Sequence, residues 1–313
     1  MKQIGKKTGT LIITLLFISF ASFFAFQVIP GDPALSVLGM DATEQQVAVF
    51  RKEMGLDKPL LVRYGNWVWN FAQGDFGRSY HYRTPVSGLL GDKLPVTLTL
   101  TLISFSFILL ISIPFGILMA KFAESRLGKA ANVVNQVLMS VPSFFLGVLL
   151  VLVFGLLLKW FTPGKYISYT ESITGFLLYL IAPAAAIAIP KSAMVIKFLR
   201  SSVLEQRKHN YVRTAYSKGS PENRVLFIHI LKNASIPVIT ILGMMIADIM
   251  AGSIVVEQVF NIPGVGRLLV SSIGYRDYPV VQAIIVYIAS TVVIVNFIVD
   301  MVYRLVDPRI REA

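Results

Sequence analysis

Six long apolar blocks punctuate this chain, and they restrict its fold more than any other feature. They run Thr10–Ile29, Pro95–Lys121, Val133–Lys159, Phe176–Lys197, Ile236–Val256 and Val280–Tyr303. Each has about the 20 residues or more that a helix needs to cross ~30 Å of hydrocarbon. Only 15% of the 313 residues are charged and 55% are hydrophobic, against about 25% charged in an average soluble domain. An ordinary soluble domain is excluded, and the chain reads as an all-α membrane protein with six transmembrane helices. Pro183 and Pro190 fall inside the fourth block, where a spanning helix tolerates proline if neighbours satisfy the freed carbonyls. The first block follows Lys2, Lys6 and Lys7 without a convincing small-x-small cleavage site, and reads as an uncleaved anchor rather than a signal peptide.

Lys and Arg orient the spans. With the N-terminus in the cytoplasm, the inner segments hold sixteen basic residues, seven of them between Leu199 and Ser235. The short outer segments hold only Lys165, beside Lys159 at a span end, then Arg267 and Arg276, while the long outer segment is balanced at seven basic and seven acidic residues. This asymmetry predicts both termini in the cytoplasm. The net charge of +12 is thus a topology signal, not a nucleic-acid footprint. The resulting organisation is a tail and first span over 1–29, an extracytoplasmic helical segment over 30–94, a core over 95–304 with a cytoplasmic loop at 199–235, and a cytoplasmic tail over 305–313.

The outer segment carries its own helix signals. Thr43 and Gln46 form a capping box, followed by Val47, Phe50 and Met54 on one face until Gly55 stops the helix. A second helix is predicted from Asp57-Lys58-Pro59, with Leu60, Tyr64, Trp67, Val68 and Phe71 on its apolar side. In the cytoplasmic loop a short helix is expected near Asn210–Lys218, ended by Gly219 and followed by Ser220-Pro221.

Catalytic patterns are missing. No phosphate-binding GxxxxGK[ST] loop occurs, so the chain does not hydrolyse ATP by that mechanism. There is no cysteine, no GxSxG elbow and no HExxH, and His81, His209 and His229 lie far apart outside the spans, so no metal site is expected. Ser104, Ser106 and Ser112 have no partner base in reach and read as helix-packing hydroxyls.

Polar residues at membrane depth are expensive and often functional. Asp248 lies near the middle of the fifth span; it either faces a water-filled path and meets a cationic group on a cargo, or makes a structural pair with a neighbouring helix. Met244 and Met245 beside it are further path candidates. Lys191 and Lys197 are expected to snorkel toward the inner face. Asn296, Asp300 and Arg304 share one face of the last helix, with Asp300–Arg304 as a local ion pair. Gly243, Ala247 and Ala251 form a seam of small residues that admits a close helix, inside the chain or on a partner.

The run Tyr211-Val212-Arg213-Thr214-Ala215-Tyr216-Ser217-Lys218-Gly219, then His229-Ile230-Leu231-Lys232-Asn233-Ala234 and Ile236-Pro237, resembles the coupling loop of binding-protein-dependent ABC importer permeases. The similarity is to the B-type subunit of the dipeptide/oligopeptide/nickel branch. In order along the chain come Ile29-Pro30-Gly31-Asp32-Pro33, Gly55-Leu56-Asp57-Lys58-Pro59-Leu60, Gly74-Asp75-Phe76-Gly77-Arg78-Ser79-Tyr80, Pro263-Gly264-Val265-Gly266-Arg267-Leu268-Leu269, Arg276-Asp277-Tyr278-Pro279-Val280 and Asp307-Pro308-Arg309-Ile310-Arg311. The wider superfamily has Glu-Ala-Ala where this chain has Arg213-Thr214-Ala215, so no glutamate here contacts a motor.

The resemblance implies a type I ABC importer permease fold with a helical extracytoplasmic insertion between the first two spans, in a bacterial inner membrane. It implies a homologous second permease as heterodimer partner, two ATP-binding subunits, and an extracytoplasmic substrate-binding protein. No cofactor is expected on this chain, with ATP and Mg on the partner subunits. Tyr211, Val212, Arg213, Thr214, Ala215, Lys218 and Gly219 would couple to the ATPase, and Asp248, Met244 and Met245 would line the path. The cargo is a peptide or related small solute, with a nickel or metal-chelate importer of the same fold as the alternative. An autonomous secondary transporter is the rival from another class; it would usually carry an inverted repeat, and none is visible.

Overall fold

The computed structural model describes the backbone of residues 2–28, 33–39, 42–53 and 55–306, with side chains except at 2–8, 26–28, 33, 36–37, 251–252, 300 and 302–306. Its elements are helical: α1 (Lys2–Val28), α2 (Pro33–Leu38), α3 (Glu44–Glu53), α4 (Leu60–Ala72), α5 (Val86–Lys121), α6 (Arg126–Ser140), α7 (Ser143–Leu150) running on as a π-helix over Val151–Leu157, and α8 (Ile173–Gln206). After these come α9 (Asn210–Ser217), α10 (Glu222–Arg224) with a second π-helical turn over Val225–Ile230, α11 (Leu231–Val259), α12 (Val265–Gly274) and α13 (Tyr278–Val306). Four of the described helices are long and apolar enough to cross a membrane, or five if the bent pair α6–α7 counts as one span. The chain is therefore a multi-pass membrane protein.

Val133–Lys159 is not one straight span. The chain bends by 96° between α6 and the helix over Ser143–Leu157. Pro142 has no N–H to continue the ladder and drives the residue before it out of the helical region; Val141 is extended at φ −79, ψ 123. Ser125 opens α6 by accepting the Gly128 N–H at 3.0 Å.

Contacts divide the chain into two compact units, Met1–Thr97 with Pro263–Val293, and Leu98–Ile262 with Ile294–Ala313. In the first, the two short helices expected within 30–94 form. The Thr43 N–H donates to Gln46 Oε1 at 2.9 Å and the Gln46 N–H to Thr43 Oγ1 at 3.3 Å, and Gly55 follows α3 at φ +63. Met54 lies outside the described residues. The aromatic face of α4 packs on α1: the Tyr64 ring lies 5.4 Å from Phe23 and its hydroxyl shares a 3.0 Å bond with Ser19, and the Trp67 ring lies tilted 6.1 Å from Phe23. A core of Val86, Leu90, Val265, Leu268, Val280, Ala283 and Ile284 joins α5, α12 and α13.

In the second unit α8 is the hub, with α6, α7 and α11 packed on it. Its Ala-rich composition follows from that position: Ala184, Ala186, Ala188 and Ala193 are wholly buried, and small side chains let neighbouring helices approach. Pro183 and Pro190 stay within a continuous helix. Asn135 reaches across to donate to the Ala193 carbonyl at 2.8 Å. Ser104 and Ser106 donate to Leu100 and Leu102 one turn back in their own helix. At Gly243 a Cβ would lie 2.0 Å from Val299 Cγ2, so the seam there is filled by α13 of this chain. Ala251, Asp300 and Arg304 are outside the described side chains, and Asp307–Arg311 and Gly31-Asp32 outside the described residues.

Candidate functional site

Three places in the molecule concentrate unusual chemistry. The first is α9, a two-turn helix. Val212 and Ala215, spaced i and i+3, are its buried side chains, and α9 packs on the π-helical turn whose Val225, Leu226 and Ile230 are also buried. Tyr211, Arg213, Thr214, Tyr216 and Lys218 are exposed. Tyr211 is nevertheless held, donating to Gln206 Oε1 at 2.8 Å and stacking on His209. Thr214 donates back to the Asn210 carbonyl.

The exit of α9 is a Schellman closure. The Gly219 N–H donates to the Tyr216 carbonyl at 2.9 Å and the Ser220 N–H to the Ala215 carbonyl at 3.2 Å. Gly219 at φ +78 occupies the left-handed position that the closure requires. Arg207 and Glu222, before and after the knob, approach to 3.7 Å, and Lys121 donates to Asn223 Oδ1 at 3.2 Å. The result is a short helix anchored on two apolar side chains with a polar outer face, a shape suited to docking and to rigid-body motion.

The second place lies inside two of the long apolar helices. Asp248 on α11 is ion-paired with Lys191 on α8. Lys191 therefore does not run to the inner face as expected; a carboxylate within reach satisfies its charge where snorkelling would only relocate it. The Lys191 side chain is 14% exposed and that of Asp248 is 66% exposed. Met244 shares the exposed face, while Met245 is buried among the helices. A charge at the bilayer centre costs about 3 kcal/mol or more, which a counter-charge on the neighbouring helix offsets. A pair with a neighbouring helix is one of the two alternatives that the sequence leaves for Asp248, but nothing local in the sequence names Lys191 as the partner.

The third place lies in the first unit. Asp277 is fully buried and accepts from the Ser79 hydroxyl, the Tyr80 N–H at 2.9 Å and the His81 N–H at 3.3 Å. Ser79 Oγ in turn accepts the Tyr82 N–H at 2.8 Å. Asp277 is aimed by a second Schellman closure at the end of α12, with Arg276 in the left-handed region at φ 54. The node holds the exposed rings of His81 and Tyr275 stacked at 3.7 Å, with Tyr82 edge-on to both. Burial pushes the Tyr80 hydroxyl up to about 12, the Arg63 guanidinium opposing and the Asp277 carboxylate adding. Beside the node is a cavity of about 500 Å³ lined by Gln45, Gln46, Phe50, Glu53, Arg78 and Arg83. Both strings that meet at the node belong to the resemblance, but no periodicity singles out Asp277.

Comparison with known proteins identifies the family. Residues 112–312 match the family of binding-protein-dependent transport system inner membrane components, and residues 1–101 match its N-terminal region. The chain is 40% identical over 308 residues to the oligopeptide transport system permease protein AppB of Bacillus subtilis, covering 97% of this chain and 98% of that one. It is 36% identical over 306 residues, 98% of each chain, to a putative peptide transport system permease protein of Brucella abortus. Over 315 residues, 99% of each chain, it is 37% identical to the glutathione transport system permease protein GsiC of Salmonella typhimurium. The chain accordingly belongs to the binding-protein-dependent transport system inner membrane components, a multi-pass permease and not itself an enzyme.

Proposed function

We propose that this chain is the permease of an ATP-driven peptide importer, forming half of the translocation path with a homologous second permease. Six spans, two ends in the cytoplasm and the helical segment 30–94 outside complete the arrangement. Two ATP-binding subunits, which carry ATP and Mg, dock below; one receives α9 of this chain. A substrate-binding protein delivers cargo to the outer face. Nucleotide-driven closure of the motor displaces α9 as a rigid body, and α8 and α11 follow, so that the cavity alternates between the two sides. The motor must supply the work, since a protein shifts its own equilibrium only through a ligand that distinguishes the two states. Peptide cargo is supported by relatives named as oligopeptide, peptide and glutathione permeases.

The observation that carries the reading is the geometry of α9: two buried anchors, an exposed polar face and a rigid left-handed exit at Gly219. Single cysteines at Arg213 and Lys218 should cross-link to the ATP-binding subunits in membranes. Cross-links confined to lipid or to this chain would remove the coupling role. For the outer unit, the surface around His81, Tyr82 and Tyr275 is the proposed receiving face for the binding protein. Deleting Thr43–Phe71 should abolish uptake while leaving assembly intact, and persisting uptake would end that part of the reading.

A further inference from the structure

We propose that Lys191 and Asp248 form a two-ended cargo subsite, in which the closed ion pair opens so that Lys191 holds the terminal carboxylate of a peptide and Asp248 its terminal ammonium. This rests on the peptide-importer reading and adds to it the groups that are recognised.

Three features of the chain lead there. The pair stands in the interior of α8 and α11, on a side-chain surface left open at Asp248; charge at that depth is tolerated where it meets water, protein or a counter-charge. Its position is fixed by packing: Ser192 and Ala193 beside Lys191, and Met245 and Ile249 on the α11 side, are buried. The third feature is what surrounds it. Met194, one turn after Lys191, and Met244, one turn before Asp248, are exposed on the same helix faces, at 40% and 61% exposure. Unbranched thioethers adapt to many shapes and ask for no hydrogen bonds. Fixed charges for the termini with adaptable flanks for the side chains suit a solute whose ends are constant and whose side chains vary.

The pair also solves a charge problem. It is net neutral when closed, and a zwitterion supplies one partner to each member when it opens, so no ionised group is left alone at membrane depth at any stage. After release the two side chains reclose on each other.

The test uses the complete transporter, with binding protein and ATP-binding subunits, in proteoliposomes, and trialanine as probe. If the wild type moves no trialanine, the peptide reading itself falls, which is a separate outcome. Given wild-type uptake, the neutral double variant Lys191→Met with Asp248→Leu should assemble and hydrolyse ATP but import trialanine at least about tenfold more slowly. Wild-type uptake by that double variant would make the pair a helix-to-helix strut and overturn the proposal, since replacing a purely structural ion pair by apolar groups is often neutral. Should the double variant fail to assemble, Asp248→Asn takes its place. A loss about tenfold larger for trialanine than for N-acetyl-trialanine supports the subsite, whereas equal losses overturn it.

Discussion

Replacing Gly219 by alanine isolates the mechanical role proposed for the α9 knob, because the substitution changes one thing only. Nothing lies within 4 Å of the position a Cβ would take, so no contact is made or broken and the two closing bonds to Tyr216 and Ala215 involve backbone alone. What changes is the residue's tolerance for φ +78. An L side chain there costs about 1–2 kcal/mol. Any rearranged exit that relieves this strain gains the same amount, which multiplies its population roughly 5–30-fold. Uptake and ATP hydrolysis, measured together on the reconstituted transporter, should separate: Gly219→Ala raises the ATP consumed per solute several-fold, at unchanged membrane insertion. Gly219→Val should be worse, because a β-branched side chain is a true outlier at positive φ, and Gly219→Asn should sit near wild type. Valine behaving like glycine in both measurements would refute the claim that a rigid exit transmits the motion.

The remaining expectations concern the two units separately. Asp277→Ala orphans the buried donors at Ser79 and Tyr80 and the half-buried one at His81, a local loss of about 3 kcal/mol, so amide exchange at Tyr80 and His81 should accelerate roughly hundredfold; unchanged exchange would remove the node. Gly243→Ala places a methyl 2.0 Å from Val299 Cγ2 and should cost about 1–3 kcal/mol of thermal stability in detergent, most of it recovered by adding Val299→Ala. Tyr80 is raised to about 12 from 10.0 by burial. A raised folded value means that keeping the phenol neutral stabilises the first unit fully below pH 10, less between 10 and 12, and not above. About 3 kcal/mol is lost over that interval, seen as alkaline loosening in tryptophan fluorescence that Tyr80→Phe abolishes.

What could be read from the chain before its folding is what depends on neighbours in sequence. Span lengths follow from apolar runs, and α3 and its cap from Thr43 and Gln46 four positions within one turn. The knob at Asn210–Ser217 with its glycine exit is likewise a local device. Pro142 was in plain view as well, yet whether a proline bends a helix or rides within it is not local: Pro183 and Pro190 sit in an unbroken α8, whereas the chain turns by 96° at Pro142. The short helix α12 was missed: it opens at Gly264 with no side-chain cap, so no start signal like that of α3 marks it.

Local patterning therefore determined the membrane class, the short helices within 30–94, the knob and the motifs that carry family membership. Tertiary structure alone decided that Asp248 meets Lys191, that Asp277 gathers Ser79, Tyr80 and His81, and that Gly243 admits Val299. Periodicity says which side of a helix is apolar, but not which helix covers it. Pairings across 57 or 198 positions arise only when whole faces have been matched in space, where burying a charge without its partner is too costly to persist.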